Sequence, residues 1–286
     1  MRRRIRAKSL PIVLLIVLMV SGGCGQSRQQ GGQQQERMLR VGMECAYAPY
    51  NWTQSTDANG AVPIKDSSDF AYGYDVMMAK YLAGKIGWGL EIFRMDWDSL
   101  PVAVQSGTID CAIAGQSITE DRKTTVDFTE PYYYASIVSL VRADSAYASA
   151  AGISGFAGAT ATSQLNTVWY DVCLPQIKDV DLLSAMESAP AMLAALTSEK
   201  CDLVVTDMPT AQAAVSVYPE LKLLDFTDEP DNFQVSEEEI NIGISLKKGN
   251  SELLNLLNGA LAGLTTDDFE RMMNEAIGVQ PLATEE

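Results

Sequence analysis

The chain has 286 residues, 47% of them hydrophobic, with a formal net charge of −16 and no histidine. That length allows two lobes, each with its own core. The missing histidine excludes Ser-His-Asp and Cys-His triads, His-ligated zinc and histidine acid–base catalysis, and the acidic balance argues against nucleic acid, whose phosphates need a basic face.

The chain opens with a basic stretch, MRRRIRAK, and a nine-residue apolar run, IVLLIVLMV (Ile12–Val20). A bilayer span needs about 20 apolar residues, so residues 1–23 read as a secretory signal peptide. SGGC follows, and Cys24 is expected to be acylated as the new N-terminus of a bacterial lipoprotein. Ser21 stands where such sites usually carry Leu. GQSRQQGGQQQER offers nothing apolar to bury, so residues 24–37 read as a flexible tether. Without the leader's five bases (Arg2, Arg3, Arg4, Arg6, Lys8), 16 basic residues face 37 acidic ones, a net of −21. Such a surface serves solubility first. Cys45, Cys111, Cys173 and Cys201 are widely spaced with no CxxC pair. No metal site or cofactor is expected from them, and they read as buried free thiols.

LRVGME reads as a buried strand. Asp75 can cap a helix that runs to about Ile86 and is closed by Gly87. LEIFRM is a second strand. Asp98 or Ser99 starts a helix with Pro101 in its first turn and Gly107 at its end. IDCAIA is a third strand. The βαβαβ order argues for a parallel sheet with helices on both faces. YYYASIVSLVRAD (Tyr132–Asp144) is too long for a tight turn and reads as a crossing between lobes.

The pattern then restarts. Phe156–Thr162 reads as a strand, and Ser163 as the cap of a helix through about Gln176. VDLLSA is extended. Ser188 and Pro190 open a helix, CDLVVT is a strand, Pro209 opens another helix, and LKLLDF closes the set. INIGISLKK (Ile240–Lys248) reads as the return crossing, with two helices after it. The expected organisation is residues 38–136 plus 241–282 in lobe 1 and 137–240 in lobe 2, with a ligand cleft between them.

In open α/β sheets, ligands bind beyond the carboxyl ends of strands. After the first strand come Glu44, Tyr47, Tyr50 and Trp52. After the third strand come Gly115, Ser117 and Arg122. In the second half, Thr162, Ser163 and Gln164 follow one strand and Asp207 follows another. A guanidinium fork suits a carboxylate, backbone N–H groups at a helix start suit an anion, and a carboxylate suits an ammonium. Those are the needs of a free α-amino acid.

The chain resembles the bacterial extracellular solute-binding proteins of family 3, polar amino-acid receptors of ABC importers, from about Leu39 to Gly278. The motifs are YAPY, GYDV…A…LA (Gly73–Ala83), WDSLPVAVQSGTIDCAIAGQSITEDR (Trp97–Arg122), DFTEPYY (Asp127–Tyr133), the T-S-Q stretch at Thr162 and V-T-D (Val205–Asp207). Two positions depart from the pattern: Met77 replaces a second acid, and Ala114 stands where Ser or Thr is common.

The resemblance implies an α/β, two-lobed clamshell of the type II periplasmic-binding-protein class with two hinge-crossing segments. It implies that Arg122 clamps the α-carboxylate, helped by Thr162 and Ser163, and that Ser117 and the Gly115 carbonyl contact the ligand. Asp207 would pair with the α-ammonium, Tyr47 and Trp97 would sandwich the side chain, and Glu44 or Gln164 would reach its polar end. The ligand class is arginine, lysine, histidine or glutamine. The implied partners are an ABC permease with its ATPase, and the membrane through lipidated Cys24, on the extracytoplasmic side. No reaction is expected. Two other classes stay open: an exported cyclohexadienyl (prephenate/arogenate) dehydratase-like enzyme on the same fold, and a sensor acting through a partner.

Overall fold

The computed structural model describes residues 37–281, the side chain of Glu238 excepted; Cys24 and the expected signal peptide lie outside that range. In chain order the strands are β1 Met38–Met43, β2 Ala46–Tyr47, β3 Asn51–Gln54, β4 Val62–Pro63, β5 Phe70–Tyr72, β6 Gly89–Arg94, β7 Cys111–Ala112, β8 Val126–Phe128, β9 Tyr133–Tyr134, β10 Ile137–Arg142, β11 Thr160–Thr162, β12 Asp181–Leu182, β13 Leu203–Asp207, β14 Leu221–Leu224, β15 Asn241–Ile242 and β16 Ser245–Lys247. The helices are α1 Tyr74–Ile86, α2 Leu100–Ser106, α3 Glu120–Lys123, α4 Ala189–Thr197, α5 Met208–Val217, α6 Glu237–Ile240, α7 Ser251–Leu261 and α8 Thr266–Val279.

Two five-stranded sheets organise the molecule, in the orders β6-β1-β7-β16-β8 and β12-β11-β13-β10-β14. In the first, β1 runs parallel to both β6 and β7, and β16 runs antiparallel to β7 and β8. In the second, β11 is parallel to β12 and β13, and β10 is antiparallel to β13 and β14. β1 and β13 are apolar because both faces are covered; Leu39, Val41, Met43, Leu203, Val204 and Val205 are fully buried.

The two crossing segments meet. Tyr133 and Tyr134 of β9 pair antiparallel with Ile242 and Asn241 of β15. The second crossing is shorter than the sequence pattern suggested. Residues 241–242 form the link, whereas Ser245–Lys247 already belongs to the first sheet.

Local chemistry explains most helix ends. Ser188 caps α4 and Asp207 caps α5 through their side chains, each with a proline in the first turn. Gly107 closes α2 in a left-handed conformation, φ +79°. Two expectations fail. Asp75 does not cap α1; Gly73 precedes that helix, and the Asp75 carboxylate turns inward and is fully buried. No α-helix follows Ser163. Its hydroxyl is turned to the Val205 carbonyl, to which it donates (2.7 Å), and Asn166 sits at φ +55°, which a right-handed helix does not admit. A π turn, Trp169–Cys173, and a 3-10 turn, Leu174–Gln176, take the place of the helix.

The strand expected from Phe156 is shorter and begins at Thr160. Cys45, Cys111, Cys173 and Cys201 are buried free thiols. Among the described residues no helix is long and apolar enough to cross a membrane.

Candidate ligand-binding site

Seven residues singled out in the sequence converge on one small, closed-up cavity of about 10 Å³ between the sheets: Glu44, Tyr47, Trp97, Gly115, Ser117, Arg122 and Gln164. Thr167 and Trp169 complete its wall. Sequence reading missed both, because they sit in the irregular stretch that Ser163 was expected to turn into a helix.

The first-sheet half is built on strand ends. Glu44 and Tyr47 follow β1, and Gly115 and Ser117 follow β7. Gly115 has φ +62°, and a Cβ there would lie 2.6 Å from Tyr47 Cε1. Glycine at this position admits both the left-handed backbone and the close ring. Ser117 bridges to Ile242, and the Ile118 N–H donates to the Asn241 carbonyl (2.9 Å). The cavity floor is thereby tied to the crossing segment.

Beneath the floor lies a buried network. The Gly115 N–H donates to the Tyr132 hydroxyl (3.0 Å), which donates to Asp75 Oδ1 (2.6 Å). Asn51 Nδ2 donates to Asp75 Oδ2 (2.7 Å), and Asn51 Oδ1 accepts from the Cys45 N–H (2.7 Å). Asp75 therefore holds the loops after both β1 and β7. Burial pushes its carboxyl up to about 7, against the hydrogen bonds from Tyr132 and Asn51.

Arg122 is in α3, whose N-cap is Thr119. Its Nη1 donates to the Ser117 carbonyl (2.8 Å), its Nη2 donates to the Asn166 carbonyl (2.7 Å), and its Cζ lies 5.3 Å from the Trp97 ring centroid. Burial pulls its pKa down to about 10, which still leaves it cationic at neutral pH.

Three bridges cross from the first-sheet side to the second around the cavity, and away from it Gln280 Nε2 donates to the Ala213 carbonyl (3.1 Å). Tyr47 donates its hydroxyl to Asp207 Oδ2. Gln164 Nε2 donates to Glu44 Oε1 (3.1 Å). Asn166 meets Arg122 through its carbonyl and Asp98 Oδ1 through its side-chain amide (2.7 Å).

Glu44 is buried, and its Oε2 has no partner. Burial first, then the nearby charges of Asp75, Asp96 and Asp98, push it up to about 7; the Gln164 hydrogen bond opposes them. Glu44 also lines a neighbouring cavity of about 450 Å³ with Asp96, Asp98 and Glu187.

Three expected residues stand behind the cavity and do not line it. Thr162 Oγ1 donates to the Ser184 carbonyl (2.9 Å), and Ser163 to that of Val205. Asp207 accepts from the Thr210 N–H (2.9 Å) and from the Tyr47 and Thr210 hydroxyls. Burial pushes its carboxyl up, and those hydrogen bonds oppose the shift. Among the described residues no group of three or more His, Cys, Asp or Glu is placed to hold a metal.

The profile of the bacterial extracellular solute-binding proteins, family 3, matches residues 39–278. The "Probable histidine-binding protein" of Neisseria gonorrhoeae is 26% identical, covering 86% of this chain and 85% of its own. A solved ancestral arginine-binding protein bound to arginine is 30% identical, with a TM-score of 0.66, covering 83% of this chain and 97% of its own. The ancestral amino acid-binding protein AncCDT-1, a precursor of cyclohexadienyl dehydratase, is 25% identical, with a TM-score of 0.67, covering 84% and 95%. These solved relatives share the two-lobed fold of type II periplasmic binding proteins. The chain belongs to the bacterial extracellular solute-binding proteins of family 3.

Proposed function

We propose that this protein is a lipid-anchored receptor that captures a free polar or basic amino acid between its lobes and delivers it to an ABC permease. The observation that carries the reading is one cavity lined by a guanidinium, Arg122, and a carboxylate, Glu44, with the rings of Tyr47 and Trp97. Arg122 clamps the α-carboxylate, and Ser117 and the Gly115 carbonyl contact the ligand head. Asp207 takes the α-ammonium when Tyr47 yields its place. The hydroxyls of Thr162 and Ser163 are committed to backbone carbonyls, so in this reading those residues serve through their N–H groups. The side chain runs between Tyr47 and Trp97, and its polar end meets Glu44 or Gln164.

The unpartnered oxygen of Glu44 and the acidic cavity beside it favour a cationic side chain, as in arginine or lysine. The aromatic walls suit its aliphatic stem and its charge. The relatives named for histidine and arginine support the same class.

The proposed lobes are residues 38–136 with 241–282, and 137–240. Residues 1–23 are the proposed signal peptide, Cys24 the lipidated residue and 24–37 the tether, on the extracytoplasmic side. Ligand favours closure because only the closed form lets both halves touch it.

The test is a thermal-shift screen of the twenty amino acids. A ligand in excess over its Kd raises the melting temperature. Shifts confined to arginine, lysine, histidine or glutamine are expected, and a flat screen would sink the reading. The likeness to a dehydratase precursor keeps an enzyme as the second reading. Turnover of prephenate or arogenate, followed by product absorbance, would favour the enzyme.

A further inference from the structure

Of the three bridges around the cavity, two lie where the proposed ligand contacts are. Tyr47–Asp207 and Glu44–Gln164 must rearrange when an amino acid enters. The third touches the inner cavity only through Arg122. Asn166 and Asp98 are exposed, and both line an outer groove of about 750 Å³. Trp97 and Arg122 line the groove and the inner cavity alike. These four side chains therefore stand where the groove meets the cavity.

Asn166 makes two hydrogen bonds in opposite senses. Its carbonyl accepts from Arg122 Nη2 (2.7 Å), and its amide donates to Asp98 Oδ1 (2.7 Å). The left-handed backbone at φ +55° is tolerated by Asn better than by most residues. With the Ser117 carbonyl on Nη1 (2.8 Å), the Asn166 carbonyl fixes the plane of the Arg122 guanidinium from the opposite lobe.

We infer that Asn166 is a positioning residue and a latch: it fastens the lobes at the cavity mouth through Asp98, aims Arg122, and must release before ligand enters or leaves. The latch is compatible with both the free and the liganded closed forms, since of the groups assigned to direct ligand contact it uses only the outer edge of Arg122, and Asp98 stands in the acidic cavity beside Glu44. It acts on closure and on ligand escape, and it leaves the choice of side chain to Glu44 and the aromatic walls. The inference about ligand escape rests on the amino-acid reading; the inference about closure does not.

The test uses Asp98→Ala, Asn166→Gly and the double variant; glycine keeps the positive φ and removes only the side-chain donor. Small-angle scattering without ligand is expected to show a larger radius of gyration in each. Stopped-flow dissociation of L-arginine is expected to quicken about threefold to tenfold, as loss of one hydrogen bond implies. The double variant should dissociate no faster than the worse single one, because both remove the same bond. The order of affinities among amino acids should stay unchanged in Asn166→Gly, which leaves the acidic cavity beside Glu44 intact. Unchanged scattering and dissociation in both single variants would overturn the latch, as would additive effects in the double variant or a reshuffled ligand order in Asn166→Gly. If the wild-type protein binds no amino acid, the receptor reading fails, and the scattering comparison still decides the closure claim.

Discussion

Tyr47 and Asp207 are joined across the cleft: the Tyr47 hydroxyl, at the end of β2, donates to the carboxylate that closes β13. Tyr47 is held protonated by burial and by the adjacent Asp207 charge, which push its pKa far upward. The bond occupies the place proposed for the ligand's α-ammonium, so binding exchanges a neutral donor for a charged one.

Asp207→Asn tests that exchange. Asparagine caps a helix about as well as aspartate, so the melting temperature of the free protein should barely move. Calorimetric affinity for every amino acid should fall roughly 30-fold, about 2 kcal/mol for a charged hydrogen bond. Unchanged affinity would return Asp207 to the role of a cap alone.

Glu44 should discriminate charge. Its carboxyl titrates near 7, so below that pH a cationic side chain must displace a proton to bind. Affinity for arginine or lysine should therefore drop about tenfold per unit on the acid side of pH 7 and level off above it. Glu44→Gln should flatten that profile and weaken only cationic ligands. An equal loss for glutamine would contradict the assignment.

The free protein should be less stable at pH 8 than at pH 5. Glu44 and Asp75 are both raised to about 7 from ordinary carboxyl values. Between those values the folded chain holds protons that the unfolded chain has released, so stability falls as pH rises through that window. A thermal melt series from pH 5 to 8 checks the sign, and a rising melting temperature would refute it.

Gly115→Ala should leave the fold intact and damage the site. The new Cβ would meet Tyr47 Cε1 at 2.6 Å and force a strained backbone at φ +62°. Affinity should fall about tenfold or more, with a melting temperature lowered only modestly. Retained affinity would show that the Tyr47 ring position is not critical.

Much of this was legible in the sequence because strand ends are. The apolar runs of β1 and β13 mark buried strands, and in parallel units their carboxyl ends gather on one edge. Glu44, Tyr47, Gly115, Ser117 and Arg122 meet for that reason. What stayed hidden depends on partners far along the chain. Asp75 looks like a cap beside a helix, yet Tyr132 and Asn51 draw it inward. Ser163 looks like a cap too, but its hydroxyl turns to Val205 and the backbone goes left-handed at Asn166. Trp169 and Thr167 reach the cavity from a π turn and its lead-in, and no periodicity announces such a segment.

The most direct measurement is a calorimetric titration of the wild-type protein and of Arg122→Ala with the amino acid that gives the largest thermal shift. A saturable one-to-one isotherm for the wild type and no measurable heat for Arg122→Ala are expected. An Arg122→Ala variant that binds with the same Kd would contradict the carboxylate clamp on which the site is built.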